Sequence, residues 1–437
     1  MAGDLQSDLT TRIAPARGRP QRGSSIPFWG LLFFTFILLI SPQVFIPILR
    51  SLRIAMLSAG LALVVYISDR LSHHQPLTST PPAVRLIFVF TLLAAISIPF
   101  AKWPGGAYDA FFDELLKSVL IFVLVANVVN SVHRMKIMIW SMALCVTIMS
   151  WAAVRDFSTG NLALQGVRIA GWESPLAGNP NDLALIVNLV LALIIGLSSA
   201  PGKPLAKMCL LGVIALSVVG VISTFSRGGF VTLATIAILW LIKRTRERGA
   251  GIPLLLLAVV PLVIIALPAG YGDRLYSIFD MSADTTGSSA ARWDGMVLAW
   301  NAILAHPVMG SGLNQHGLAF LEATGGWNWN GVHNVYLEIA ADLGVPALLI
   351  YLGANWYLLT SLRQSLRQIN RSRGKRPREA RALIALGGGI QIALVAFLVA
   401  AFFHPVAYHF YFFYIAGFAV AHQTITEQTI RSRMSSP

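Results

Sequence analysis

The sequence predicts an all-α integral membrane protein of about 12 transmembrane helices. Of its 437 residues, 56% are hydrophobic and only 12% are charged, about half the charged share of an ordinary soluble domain. The apolar residues fall into runs close to the length of about 20 that a helix needs to cross the hydrocarbon core. These runs fill nearly the whole chain and leave no stretch for a separate soluble domain.

Residues 1–26 are polar and carry Arg12, Arg17, Arg19 and Arg22. They read as a disordered cytoplasmic tail. The run that starts at Ile26 is too long for the short apolar core of a signal peptide. Spans are expected near 27–47, 52–68, 84–101, 114–131, 135–154, 181–199, 205–224, 229–243, 252–268, 333–360, 384–403 and 405–423. Residues 27–268 thus hold helices 1–9. Residues 269–332 form a long outer loop containing short helices, 333–423 hold helices 10–12, and 424–437 form a second cytoplasmic tail. Cys145 and Cys209 each lie inside an apolar run and read as core thiols rather than a disulfide or a metal pair.

The net charge of +14 suggests a nucleic-acid surface only until its distribution is seen. With the N-terminus placed inside, 24 of the 33 Lys and Arg residues fall in the inner loops and tails. Eight of them lie in Arg363–Arg381. That asymmetry follows the positive-inside rule and puts both termini in the cytoplasm. Nine basic residues remain outside the inner loops: Arg50, Arg53, Lys102, Lys117, Arg155, Arg168, Arg227, Arg274 and Arg292. The first four sit near span ends, where long side chains reach the headgroups. The others oppose the topology rule and call for a reason.

Three outer segments supply it. The first, Arg155–Asn181, is rich in Gly, Asn, Pro and Ser and reads as a turn-rich loop. As a lining loop it offers Arg168 and Glu173. Its end, GNPN, places Asn181 as a cap for the next span, with Asp182 at the positive helix end. The second, Thr224–Phe230, sets Arg227 beside two glycines at the junction of two spans, and a guanidinium fork suits phosphate. The third is the long loop. Within it, Ser288–Leu304 has apolar residues at helical spacing and reads as a membrane-surface helix with Arg292 in its first turn. The loop ends at His333-Asn334, where the tenth span begins. An imidazole at that mouth titrates near neutral pH and can move a proton. Several arginines and one histidine around an outer cavity suit a diphosphate leaving group and a hydroxyl that must lose its proton.

The sequence resembles the superfamily of O-antigen ligases and O-antigen polymerases, bacterial envelope glycosyltransferases. The resemblance is carried by Gly178-Asn179-Pro180-Asn181, Ser226-Arg227-Gly228, Arg292-Trp293 with His306-Pro307 through Gly312, and His333-Asn334-Val335-Tyr336-Leu337 followed by Asp342-Leu343-Gly344. It covers about residues 140–360. It implies a GT-C-like helical fold in the bacterial inner membrane with a long periplasmic loop. It also implies transfer of a glycan from undecaprenyl diphosphate to a hydroxyl of lipid A–core on the periplasmic face, with no cofactor, nucleotide or metal. By motif position, Arg227 and Arg292 take the diphosphate and His333 is the catalytic base. Arg168 joins the diphosphate group on physical grounds. Glu338 and Asn334 are candidates for support, although Glu338 and Asp342 have the wrong spacing to pair with His333 on a helix face. An O-antigen or exopolysaccharide polymerase joining lipid-linked repeats is the alternative activity. A transporter or flippase is a second alternative, against which stands the absence of two related halves.

The other signals read as structural. Asp109, Asp113 and Glu114 suggest an interfacial belt pairing with Lys117 or an outer arginine, and His404, His409, Tyr408 and Tyr411 suggest a packed outer turn first and a border of the outer cavity second. No metal-binding spacing such as HExxH occurs. Gly387-Gly388-Gly389 suggests a close helix contact, and the Arg363–Arg381 loop suggests a topology determinant touching anionic lipid.

Overall fold

A computed structural model describes residues 25–46, 48–52, 54–162, 168–174, 176–248, 288–318, 331–371 and 377–434. The N-terminal tail, the expected ninth span at 252–268, Arg274 and residues 269–287 and 319–330 of the long loop lie outside the described residues. The described chain is helical. In order it runs α1 (Ile26–Ile40), α2 (Ile54–Ser72), α3 (Pro82–Ser97), α4 (Leu116–Val128), α5 (Val132–Ser158) and α6 (Pro180–Ser199). It continues with α7 (Pro204–Ser223), α8 (Arg227–Arg248), α9 (Ser288–Ala305), α10 (Val335–Arg371), α11 (Arg378–Ala400) and α12 (Phe410–Met434). Eight helices among the described residues are long and apolar enough to cross a membrane. α1 is apolar but shorter. α4 is extended on its N-terminal side by helical turns from Pro104. The described fold is that of a multi-pass membrane protein.

The centre of the bundle is the pair α6 and α11, both largely buried. Their backbones meet at Gly196 and Gly389, where a Cβ on either would lie 2.8 Å from the other's Cα. Without water to drive helices together, such close backbone approach is a main source of association in a bilayer. α8 packs on both of these helices, α10 packs on α3, and α12 packs on α4. Cys145 is buried as a core thiol, but Cys209 is exposed on the surface of α7. An apolar run in a membrane protein has a lipid-facing side as well as a core side, and position in the run does not tell them apart.

α10 is broken. Gly344 has φ +83° and ψ 168°, and Pro346 follows two residues later. Proline has no N–H, so the Asp342 carbonyl, four residues back, loses its helical donor. Gly312 N–H supplies the missing bond at 2.9 Å. Val345 N–H turns away to the Pro307 carbonyl at 2.8 Å, and Ser311 N–H takes up the vacated Ala341 carbonyl at 2.8 Å. The segment 307–312 therefore restores the backbone bonds that the break removes. Irregular backbone at this depth is tolerated only where it is satisfied inside protein. A Cβ on Gly344 would collide with the Val308 carbonyl.

Replacing Gly344 by Ala forces a side chain into a conformation nearly restricted to glycine, at about 1–3 kcal/mol before the collision is counted. Gly60 lies inside α2, where an added Cβ would meet nothing within 4 Å, and Ala there gains about 0.5–1 kcal/mol of helix propensity. Thermal unfolding in detergent is expected to show a lower midpoint for Gly344→Ala and an equal or higher one for Gly60→Ala.

Candidate active site

Three helix N-termini and one C-terminus converge at one end of the bundle. Asn179 caps α6, its Oδ1 accepting from the N–H groups of Asn181 at 2.9 Å and Asp182 at 3.0 Å. The cap expected at Asn181 is therefore two residues earlier, with Pro180 in the first helical turn where its missing N–H costs nothing. Asn181 is thereby freed for another task. Its Oδ1 accepts from Arg168 Nη2 and from Ser226 Oγ, both at 2.9 Å. Arg168 Nε also donates to the Thr224 carbonyl at 3.1 Å. Ser226 Oγ accepts from Gly229 N–H at 3.1 Å, which fixes the start of α8 and places Arg227 at its positive end.

The third N-terminus is that of α10. Asn334 caps it, accepting from Tyr336 N–H at 3.0 Å and Leu337 N–H at 3.1 Å. Val335 N–H, which has no acceptor within its own helix, bonds the Ala401 carbonyl just past α11. His333 stands immediately before the cap. Its Nδ1 lies 2.9 Å from the Gly331 carbonyl. A carbonyl only accepts, so Nδ1 carries the proton and Nε2 presents a lone pair. Burial, with Arg292 adding to it, pushes the His333 imidazole down to about 4.

His333 lines a cleft of about 240 Å³ with Asn179, Asn181 and Asp182 on one side and His404, His409 and Tyr411 on the other. His404 Nδ1 is 2.9 Å from the Ala400 carbonyl, and its Nε2 faces the Asn181 carbonyl at 3.3 Å. A neutral ring can donate to only one of them, and burial pushes the His404 imidazole down. The shorter contact is the hydrogen bond. His404 and His409 thus border the cleft, the role their sequence positions offered second to a packed turn. His409 faces Glu114 at 3.8 Å, both partly exposed. Asp113 pairs with Lys117 at 2.6 Å, and exposed pairs of this kind contribute about 0–1 kcal/mol.

The structure brings the four sequence-selected residues to this end. Arg168 joins the cleft wall through Asn181, and Arg227 follows the Ser226 that bonds the same Asn181. Gly228 lies against Phe403 and His404. The charge on Arg292 is felt at both His333 and His404. Glu338 does not meet His333. It is buried and accepts from Ala407 N–H at 3.2 Å, so it holds the turn that carries His404 and His409. Among the described residues no group of three or more His, Cys, Asp or Glu is placed to hold a metal ion.

One arrangement was missed in the sequence. The fully buried Asp342 carboxylate accepts from the N–H groups of Asn314, Gln315 and His316 at 3.0, 2.9 and 2.8 Å. It also faces His316 Nδ1 at 3.1 Å and accepts from Tyr408 Oη at 2.9 Å. Burial opposes charge on His316, but Asp342, helped by Glu338 and Glu114, outweighs it and holds the imidazole up at about 9. Its Nε2 points toward Gly331, whose carbonyl orients His333. The pair is 26 residues apart in sequence, and Asp342 sits in an apolar run. The only advance signal was the Asp342-Leu343-Gly344 motif itself.

The cleft, lined mostly by polar residues, lies at the ends of packed apolar helices of a multi-pass membrane protein. Residues 212–352 match the family model described as Wzy_C, O-antigen ligase. That segment includes Arg227, Arg292, His316, His333 and Asp342, and it bears out the superfamily resemblance. It supports a ligase- or polymerase-like membrane glycosyltransferase. No curated protein matches the chain. Among solved structures, one chain of a structure described as "Structural coordination of polymerization and crosslinking by a peptidoglycan synthase complex" is 18% identical, with a TM-score of 0.41 over 80% of this chain and 97% of that chain. A score of that size carries no fold assignment.

The His316 imidazole is raised from 6.5 to about 9 on folding. The stabilisation from its charged form is therefore complete below about pH 6.5 and is lost as pH rises through about 9. The wild-type thermal midpoint is expected to fall between pH 7 and pH 10. Asp342→Asn removes the buried partner, costs on the order of 3 kcal/mol, and flattens that alkaline decline. An unchanged decline would remove the pair as its source.

Proposed function

We propose that the protein transfers a glycan from an undecaprenyl diphosphate carrier to a hydroxyl of lipid A–core, at the periplasmic face of the bacterial inner membrane. Both termini then lie in the cytoplasm, as the loop charges indicate. The observation that carries this reading is His333, held neutral by burial and Arg292 with its Nε2 lone pair available at a cleft where three helix N-termini converge.

The acceptor hydroxyl attacks the anomeric carbon of the carrier-bound sugar. The new C–O bond forms as the bond from that carbon to the diphosphate oxygen breaks. His333 Nε2 takes the hydroxyl proton and later returns it to water. The leaving group departs as undecaprenyl diphosphate, its charge met by Arg227 at the head of α8 and by Arg292. Arg168 acts through Asn181 and Thr224, holding the Ser226–Arg227 turn in register. Asn334 supports the base by capping the helix that follows it, and Glu338 by fixing the opposite turn.

A histidine held at about 4 is a weak base in the empty site. Burial and the Arg292 charge both depress it; a bound diphosphate offsets the Arg292 part, so the base strengthens once the donor is in place. Transfer is thereby tied to donor occupancy without a nucleotide or a metal.

Purified protein in vesicles, given the lipid-linked glycan and lipid A–core, is expected to form ligated product without nucleotide. His333→Ala is expected to lower the rate about 100-fold or more, the usual contribution of a positioned base, at normal protein yield. Arg227→Ala and Arg292→Ala are expected to weaken donor use, with Lys a poor rescue because it lacks the planar fork. Product that grows by adding lipid-linked repeats, with core left unmodified, moves the assignment to a polymerase. Glycan movement across the vesicle with no new glycosidic bond contradicts the proposal.

A further inference from the structure

α6, α8 and α11 run from the cleft to the opposite end of the bundle, and there they enclose a second crevice of about 130 Å³. The way from Asp182 to Gly196 along α6 is roughly 20 Å at the helical rise per residue, so the two sites share helices but no residue. Three cations line the second crevice: Lys243 and Arg244 from α8 and Arg381 from α11. Among the described residues no carboxylate lines it.

The geometry fixes two of these cations. The guanidinium of Arg244 lies 5.5 Å from the centre of the Trp240 ring, a distance at which the ring face attracts a cation. Lys243 extends its ammonium group over Gly388, where any Cβ would occupy the same space. The glycine run in α11 therefore serves two neighbours. Gly389 admits the backbone of α6, and Gly388 admits the head of Lys243. Behind the charges the wall is apolar, with Ile384 and Ile392 of α11 beside Trp240.

A free phosphate would satisfy the cations but leave that apolar wall unused. A phosphodiester bearing an acyl chain uses both. The flanking segments at this end, Lys243–Arg248 at the end of α8 and Arg363–Arg381 from the end of α10 to the start of α11, are the most basic in the chain, and the positive-inside rule sets the crevice at an anionic leaflet surface. Basic pockets between membrane helices on that side suit anionic headgroups. We propose that this crevice is a binding site for an anionic phospholipid, with the phosphodiester on Lys243, Arg244 and Arg381 and the root of an acyl chain on Ile384 and Ile392.

The test uses full-length delipidated protein and native mass spectrometry, with phosphatidylglycerol and phosphatidylcholine of identical acyl chains. The wild type is expected to retain phosphatidylglycerol in preference. The variant K243Q/R244Q/R381Q is expected to lose that preference by about tenfold or more. R363Q/R367Q/R431Q removes the same charge from positions that do not line the crevice and is expected to keep it. Arg381 is exposed at the crevice, so R381Q alone gives the same result in smaller degree should the triple variant fail to fold. Equal loss in both triple variants would show general surface attraction and overturn the proposal. Full retention in the crevice variants would do the same. So would displacement of the lipid by an equal concentration of glycerol phosphate, which would point to a free anion.

Discussion

A helix that breaks inside a bundle leaves backbone groups that something must bond, and in α10 that requirement organises the cleft end of the molecule. Gly344 and Pro346 end the regular ladder, and the segment 307–312 lies down against the exposed groups. Once the segment is docked, the Asp342 side chain gathers the N–H groups of Asn314, Gln315 and His316 and the ring of His316. Tyr408 donates to the same carboxylate and ties in the turn between α11 and α12. Loop, broken helix and final turn are thus held by one buried acid. Without the break, the loop would have no ladder to complete and His316 no place beside Gly331.

The consequence for chemistry is a pair of histidines pushed in opposite directions. Burial and a nearby arginine keep His333 neutral, while a buried carboxylate keeps His316 charged. The two rings meet across Gly331, whose carbonyl sets the tautomer of His333. The charge of His316 adds to the positive potential of three helix N-termini and the arginines. Asp182, in the first turn of α6, is the carboxylate that lines the cleft, and it is bonded by Asn179.

Much of this was legible in the sequence because a bilayer allows few solutions. Apolar runs must be helices, and basic loops must choose a side. Arg168, Arg227 and Arg292 stood out because they violated that pattern and His333 because it stands at the mouth of a span, and the structure gathers them at one end. The legible part stops where contacts are long-range. Asp342 gave no sign of meeting His316 or Tyr408, since neither neighbour in sequence nor helical spacing connects them. Asn181 looked like a cap by position, but the proline between it and Asn179 shifts the helix start and releases Asn181 to bridge Arg168 and Ser226. His404 and His409 looked structural because the fold of the last turn, not its composition, turns them into the cleft. The three glycines of α11 promised one close contact and make at least two, with different partners.

Transfer, as proposed, depends on two opposed histidines, His333 held down by burial and Arg292 and His316 held up by Asp342. The pH dependence of kcat/KM in the wild type, Arg292→Gln and Asp342→Asn tests it most directly. The wild type is expected to lose activity as pH falls through about 4 and again as it rises through about 9. Arg292→Gln should move the acid limb upward and leave the alkaline limb in place. Asp342→Asn should bring the alkaline limb down and spare the acid limb. Limbs that stay where they are in both variants would contradict the account.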